Sequence, residues 1–259
     1  MRKIPLFLAV LSLSFTIACA GGPDDAAPAA TTPKPAGKRV DAATAGAVTG
    51  RVSFDGTLPD AEIIRMTADR NCVQDAGPNP QSDAVLVSAD KSVKNAFVYV
   101  KDGLDPAYTF DAPAGPALLD QKGCIYNPRV LGVRVGQAIE IVNSDPTMHN
   151  VHSLPMKNNE FNHGQARKGD RISEVFTVPE VMVRFKCDVH SWMAAWVGVV
   201  DHPYFAVTDE SGAFALPNLP AGTYTIEAWH EKLGTKTAQI TVAAGQTQAL
   251  PITLPGPAK

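Results

Sequence analysis

From Gly46 to Leu254 the chain reads in short runs of Val, Ile, Phe and Tyr that alternate with polar residues and are broken by Gly, Pro, Asp or Asn. A period of two puts successive side chains on opposite faces of an extended strand, and the breakers end each run before it lengthens. The pattern predicts strands over 48–54, 61–66, 84–88, 96–101, 130–135, 138–143 and 172–178. It continues over 181–187, 196–201, 205–208, 213–216, 223–230, 235–242 and 249–254. No long segment carries the helical period. So many short strands exceed one small sandwich, and the fold class expected is all-β, with two packed β-domains.

The first residues read differently. Arg2 and Lys3 precede an apolar run from Ile4 to Ala18, followed by small residues, which is the layout of a secretory signal over 1–20. The run is too short for a comfortable membrane-spanning helix. Ala18-Cys19-Ala20 fits an A-x-A cleavage signal, whereas Thr16-Ile17-Ala18-Cys19 resembles a bacterial lipobox with Thr16 where Leu is usual. Cys19 is therefore either lipidated, leaving the protein anchored in the cell envelope, or lost with the signal from a secreted protein. The polar Ala/Pro/Thr/Gly stretch over 21–45 has no hydrophobic period and reads as a linker. It favours the anchor, since it would span roughly 30 Å as flexible chain and up to about 75 Å if polyproline-like.

The chain has 259 residues, 45% of them hydrophobic, enough for one large or two small cores. Its 23 cationic and 26 anionic residues give a net charge of −3, and loss of the leader makes the balance more negative. No basic block, zinc-finger spacing or aromatic RNA-binding signature appears, so no nucleic-acid partner is expected. HExxH, Gly-x-Ser-x-Gly, P-loop and CxxCH motifs are absent as well, and no enzyme reading emerges.

Candidate chemistry is concentrated in Cys187-Asp188-Val189-His190-Ser191-Trp192-Met193 and in Met148-His149-Asn150. Val181, Val183, Phe185 and Cys187 alternate with Met182, Arg184 and Lys186, so one apolar strand face ends in the thiol. His190 and Met193 follow at short intervals that let a tight loop turn both side chains back onto one atom. A second apolar strand ends at Asn143, and His149 lies in the loop beyond it. A thiolate, two imidazoles and a thioether make up a mononuclear copper site, with a His2Cys plane and a weak axial Met. Zinc is the chemical rival, but zinc sites seldom recruit a thioether. Four protein ligands leave no open position for substrate, which argues for electron transfer over catalysis. His152, His163 and His230 are further histidines that could bind metal; solvated or hydrogen-bonded structural roles compete for each. With Cys19 at the leader and Cys187 on metal, Cys72 and Cys124 remain as a disulfide pair or as two free buried thiols, and export favours the disulfide.

Over residues 124–201 the chain resembles the cupredoxins, most nearly the amicyanins. The matching residues are Ile139-Glu140-Ile141-Val142-Asn143, Met148-His149-Asn150-Val151-His152 and Phe185-Lys186-Cys187-Asp188-Val189-His190-Ser191-Trp192-Met193. The resemblance implies one type 1 copper ion, with His149, Cys187 and His190 equatorial and Met193 axial. It further implies that His190 lies on the ligand loop nearest solvent as the electron port. Met148 and Val189 stand where the family often has Pro, and Asp188 where it has Ser or Thr. Asn150 normally ties its loop to the Cys loop; Asp188 would replace that bond or place a negative charge near the copper and lower its potential. Met148, Trp192 and Ala194 would form an apolar docking patch, unless Trp192 simply packs against the rim. Amicyanin-like proteins pass electrons from amine dehydrogenases to cytochromes c, so the partners implied are a periplasmic dehydrogenase or a cytochrome c. Storage, delivery or sensing of copper is the alternative.

The C-terminal part resembles the carboxypeptidase-regulatory-like, transthyretin-type sandwiches. The residues are Ala206-Val207-Thr208-Asp209-Glu210-Ser211-Gly212-Ala213-Phe214 and Leu219-Pro220-Ala221-Gly222-Thr223-Tyr224. The opening Gly-x-Val-x-Gly-x-Val strand of that family appears far upstream, at Gly46-Ala47-Val48-Thr49-Gly50-Arg51-Val52. A split sandwich over 46–104 with 203–255, enclosing a cupredoxin domain over 105–202, is therefore expected. Two consecutive domains meeting near His202-Pro203 are the simpler alternative.

Overall fold

Alternating segments become strands only where a neighbour takes up their backbone hydrogen bonds. The computed structural model describes residues 37–58, 60–77 and 80–255; the expected signal over 1–20, Cys19 and the linker up to residue 36 lie outside them. Within that range the elements begin with β1 (Gly46–Phe54), α1 (Arg70–Ala76), β2 (Phe97–Asp102), β3 (Ala117–Gln121), β4 (Tyr126–Asn127) and β5 (Val130–Arg134). Next come β6 (Ala138–Asn143), β7 (His149–Leu154), β8 (Asn162–Gln165), β9 (Arg171–Val175), β10 (Glu180–Lys186) and β11 (Ala194–Val200). The last are β12 (Phe205–Val207), β13 (Ala213–Leu219), β14 (Gly222–His230), β15 (Gly234–Val242), β16 (Thr247–Ala249) and β17 (Ile252–Leu254). The protein is all-β apart from one short helix among the described residues.

Strands from both ends of this range build one sandwich. One sheet has the order β13-β1-β16, with β17 also paired to β1, and the facing sheet runs β12-β2-β14-β15. Between them lies a core that includes Val48, Val52, Val98, Leu216, Leu219, Ile226 and Ile252. The intervening strands build the other sandwich, from a sheet ordered β5-β11-β10-β7-β8 and a sheet ordered β4-β3-β6-β9. Its core holds Leu119, Ile139, Ile141, Val151, Val183, Phe185 and Val197, and extends to Cys187 and Met193.

A third apolar cluster joins the sandwiches, with Phe97 and Tyr99 from β2 meeting Val130 and Val200 of β5 and β11. Two glycines make this contact possible. Gly132 and Gly198 are register partners on β5 and β11. A Cβ at Gly132 would stand 2.4 Å from the Phe205 ring, and one at Gly198 2.5 Å from the Phe97 ring. Arg129 adds a largely buried polar tie, paired with both Asp83 and Glu231.

Several elements depart from the expected strands. Residues 61–66 and 84–88 form only isolated bridges, Ile63 to Gln81 and Val87 to Val93. Their apolar side chains are used irregularly, Met66 packing beside Cys72 and Cys124 while Ile63 stays exposed. The stretch also holds α1, seven residues capped by Asp69, too short for a helical period to show. β8, with the sequence NHGQ, is polar and carries no apolar alternation. The single strand expected over 249–254 is two, β16 and β17, because Pro251 lies between them and lacks the N–H that a ladder needs.

Candidate metal centre

The apolar face of β10 delivers the thiol. Val183, Phe185 and Cys187 all point into the core, and Cys187 follows directly on the last residue of the strand. β7 pairs antiparallel with β10, through Arg184–Leu154, Phe185–Ser153 and Lys186–His152. This register brings His149, the first residue of β7, to the same end of the sandwich as Cys187. The loop between β10 and β11 carries His190 and Met193, and the Met193 N–H donates to the His190 carbonyl at 2.9 Å, closing a tight turn. The Tyr126 hydroxyl locks the two sides together, lying 2.7 Å from the Asn150 carbonyl and 3.0 Å from that of Lys186.

The four side chains expected as ligands are buried, at 0% exposure for His149, 2% for Cys187, 1% for His190 and 1% for Met193. His149, Cys187 and His190 form a group that could hold a metal ion, their donor atoms all within 4.8 Å of one another. His149 Nδ1 and His190 Nδ1 face each other at 2.9 Å, and Cys187 Sγ lies 3.8 Å from His190 Nδ1. The sulfur also accepts the backbone N–H groups of His190 at 3.3 Å and Asn150 at 3.5 Å. Both rings turn their Nε2 atoms outward to carboxylates, His149 to Asp145 at 2.9 Å and His190 to Asp69 at 3.3 Å.

Donors roughly 2.0–2.3 Å from one ion in a trigonal plane stand about 3.5–3.8 Å apart. The Cys187 Sγ–His190 Nδ1 separation meets this, and the two imidazole nitrogens, at 2.9 Å, would have to move apart. The donor set fits a copper ion: Nδ1, Nδ1 and Sγ converge, the outer nitrogens are already occupied, and the Met193 thioether is packed in the same core.

Charge in the site follows from these contacts. Burial pushes His149 down, but the Asp145 hydrogen bond and the Cys187 sulfur outweigh it and raise its pKa to about 9. Burial pushes the Cys187 thiol up, yet His149 and three backbone N–H groups bring it below the ordinary thiol value. His190 is lowered by burial and by the neighbouring His149. In the metal-free site the thiol is thus shifted toward its ionised form beside a protonated His149, whose proton a metal ion would have to displace.

One expectation is corrected. His190, expected on the ligand loop nearest solvent as the electron port, has its own ring buried, with the Asp69 carboxylate, Cys72 and the Trp192 ring against it. Cys72 and Cys124 are joined as a disulfide with their Cα atoms 5.5 Å apart, and Cys72 Sγ lies 3.7 Å from His190 Nε2. Trp192 packs, its indole N–H donating to the Cys124 carbonyl at 2.9 Å, while Met148 is exposed.

Asp188 does not replace the Asn150 link but joins it. The Asn150 side chain accepts the Asp188 N–H and donates to the Asp188 carboxylate. That carboxylate also meets Lys186 at 2.7 Å and His152 at 2.9 Å, so its charge is compensated on the spot. His152 lies between Asp188 and Glu160, apart from the convergent donors. His163 pairs with Glu174 at the surface. His230 is buried, with Nδ1 accepting the N–H groups of Lys232 and Leu233.

Two residues not singled out from the sequence complete the site. Asp145 had a local signal, standing four positions before His149. Asp69 had none, since 121 positions separate it from His190.

Among known proteins, the family model described as carboxypeptidase regulatory-like domain matches residues 195–255. No curated protein matches the chain. A purple cupredoxin from Nitrosopumilus maritimus aligns at 24% identity over 32% of this chain and 98% of its own, with a TM-score of 0.28. An oxidised amicyanin variant aligns at 20% identity over 39% of this chain and 97% of its own, with a TM-score of 0.30. The copper-containing nitrite reductase of Thermus scotoductus aligns at 21% identity over 39% of this chain and 26% of its own, with a TM-score of 0.32. Both resemblances read from the sequence, to cupredoxins and to carboxypeptidase-regulatory-like domains, recur in these comparisons.

Proposed function

We propose that this chain is a copper-binding electron carrier of the cell envelope, not an enzyme. It would hold one type 1 copper ion through His149, Cys187, His190 and Met193. The observation that carries this reading is the convergence of two imidazole Nδ1 atoms and a thiol in a buried pocket whose outer nitrogens are already engaged. Bound copper supplies a centre that accepts and releases a single electron. The chain supplies rigidity. Asp145 fixes His149, the backbone N–H groups of Asn150 and His190 hold the Cys187 sulfur, and Tyr126 ties the two ligand-bearing segments together. A site held in this way changes its geometry little between charge states and excludes water from the sulfur.

Export through the leader, lipidation at Cys19 and a tether over 21–45 would keep the carrier close to membrane-associated partners. A cytochrome c or a periplasmic dehydrogenase suits that place, and weak redox encounters need only a small interface. The burial of His190 favours a second reading, in which the protein stores, delivers or senses copper. Copper loading separates the two. An intense visible thiolate-to-copper band, abolished by Cys187→Ala, with fast reversible electron exchange supports the carrier; a colourless Cu(I) form that hands its metal to an acceptor supports delivery. A band that persists in Cys187→Ala would refute the ligand assignment.

A further inference from the structure

The side of the site over His190 is closed by a segment from outside the metal-binding sandwich. Residues 66–76 cross it, with Met66 and Cys72 buried against Cys124 and Trp192, and the disulfide fastens the segment in place. Asp69 lies at its centre and makes contacts in three directions. Its Oδ1 caps α1, accepting the Asn71 N–H at 2.8 Å and the Cys72 N–H at 3.4 Å. Its Oδ2 accepts the Thr147 hydroxyl at 2.6 Å, from the loop that leads into His149, and lies 3.3 Å from His190 Nε2. The side chain of His190 is 2% exposed and that of Asp69 18%, so water competes little for this bond.

We infer that Asp69 is a positioning residue for His190, brought to the site by the disulfide-fastened segment. The inference rests on the copper reading and adds to it a residue from another part of the chain. An imidazole that presents the Nδ1 lone pair to a metal carries its proton on Nε2, and Asp69 Oδ2 is the acceptor within reach of that proton. The bond selects the tautomer and stops the ring from turning about its bond to the backbone side. It also makes Nδ1 a stronger donor, which favours the more highly charged Cu(II) over Cu(I). Thr147 fixes the carboxylate from the opposite loop, so both histidines share one support. The contact joins two strand loops and the cap, and no single segment contains it.

Asp69→Asn tests this with little disturbance, because Asn caps helices as well as Asp does while presenting an amide to His190 in place of the carboxylate. Two readouts are needed. In the metal-free protein, NMR should show His190 Nε2–H protected from solvent exchange, with protection falling at least about tenfold in the variant. In the copper-loaded protein, the variant should bind Cu(II) about ten to a hundred times more weakly. Its reduction potential should rise by about 59 mV for each tenfold by which the Cu(II) loss exceeds the Cu(I) loss. Thr147→Val should shift the potential in the same direction by less, and Thr147→Ser should restore it. A wild-type thermal midpoint in Asp69→Asn with unchanged exchange protection and potential would overturn the inference, as would lost protection at an unchanged potential. If the wild-type protein bound no copper, the functional reading itself would fall; if it bound copper and Asp69→Asn behaved identically, only the role of Asp69 would.

Discussion

His230 offers a quantitative test of how the polar interior is arranged. Its ring is buried at the end of β14, and Nδ1 accepts the backbone N–H groups of Lys232 and Leu233, each at 3.2 Å. A proton on Nδ1 would face two donors and break both bonds. Burial is the largest influence and lowers the pKa to about 4, with Arg129 adding to the fall and Glu231 opposing it. The unfolded chain titrates near 6.5, so between about 6.5 and 4 the unfolded state binds a proton that the native state refuses. The stabilisation is fully present above 6.5 and is lost as pH falls through this window. At 1.36 kcal/mol per pH unit it amounts to about 3 kcal/mol. Urea unfolding at intervals from about pH 7 to 4, at one fixed copper state, should show it. His230→Leu is less stable at neutral pH, since it leaves the buried Leu233 N–H and the part-buried Lys232 N–H without their acceptor. Its stability should decline less steeply, the gap to wild type closing by about 3 kcal/mol on acidification. Parallel curves, or a His230 ring signal titrating near 6.5 by NMR, would refute the reasoning.

Gly198→Ala should cost about 1–3 kcal/mol, because its Cβ would lie 2.5–2.8 Å from three atoms of a Phe97 ring that has no exposed surface into which to move. Adding Phe97→Leu should recover part of the loss in thermal unfolding, and a neutral Gly198→Ala would mean that the two sandwiches pack more loosely there. In the metal-free protein His149 stays protonated up to about pH 9, with burial opposed by Asp145 and Cys187. Its stabilisation is present below about 6.5 and lost as pH rises through 9. Copper uptake at pH 7 should therefore release about one proton from His149, read from the dependence of the binding heat on buffer ionisation. Uptake without proton release would contradict that charge state.

Strand-forming segments were legible because alternation is a local property: β1, β6, β10 and β14 carry it within their own residues. β8 and the helix α1 were not, the first because its residues are polar and the second because seven residues do not complete two turns. His149, Cys187, His190 and Met193 could be singled out because three of them share one short loop and the fourth follows a strand end.

The sequence by itself determined the all-β class and singled out the candidate donors, since strand alternation and the short spacing of Cys187, His190 and Met193 are local. Only the tertiary structure decided what surrounds those donors. It placed Asp69 and the Cys72–Cys124 disulfide against His190, where exposure had been expected, and Lys186 and His152 around Asp188. The physical reason is range. Ligand spacing and strand periodicity act between neighbours in the chain, whereas the burial of an imidazole and the compensation of a carboxylate depend on segments that meet only after the sandwiches have packed.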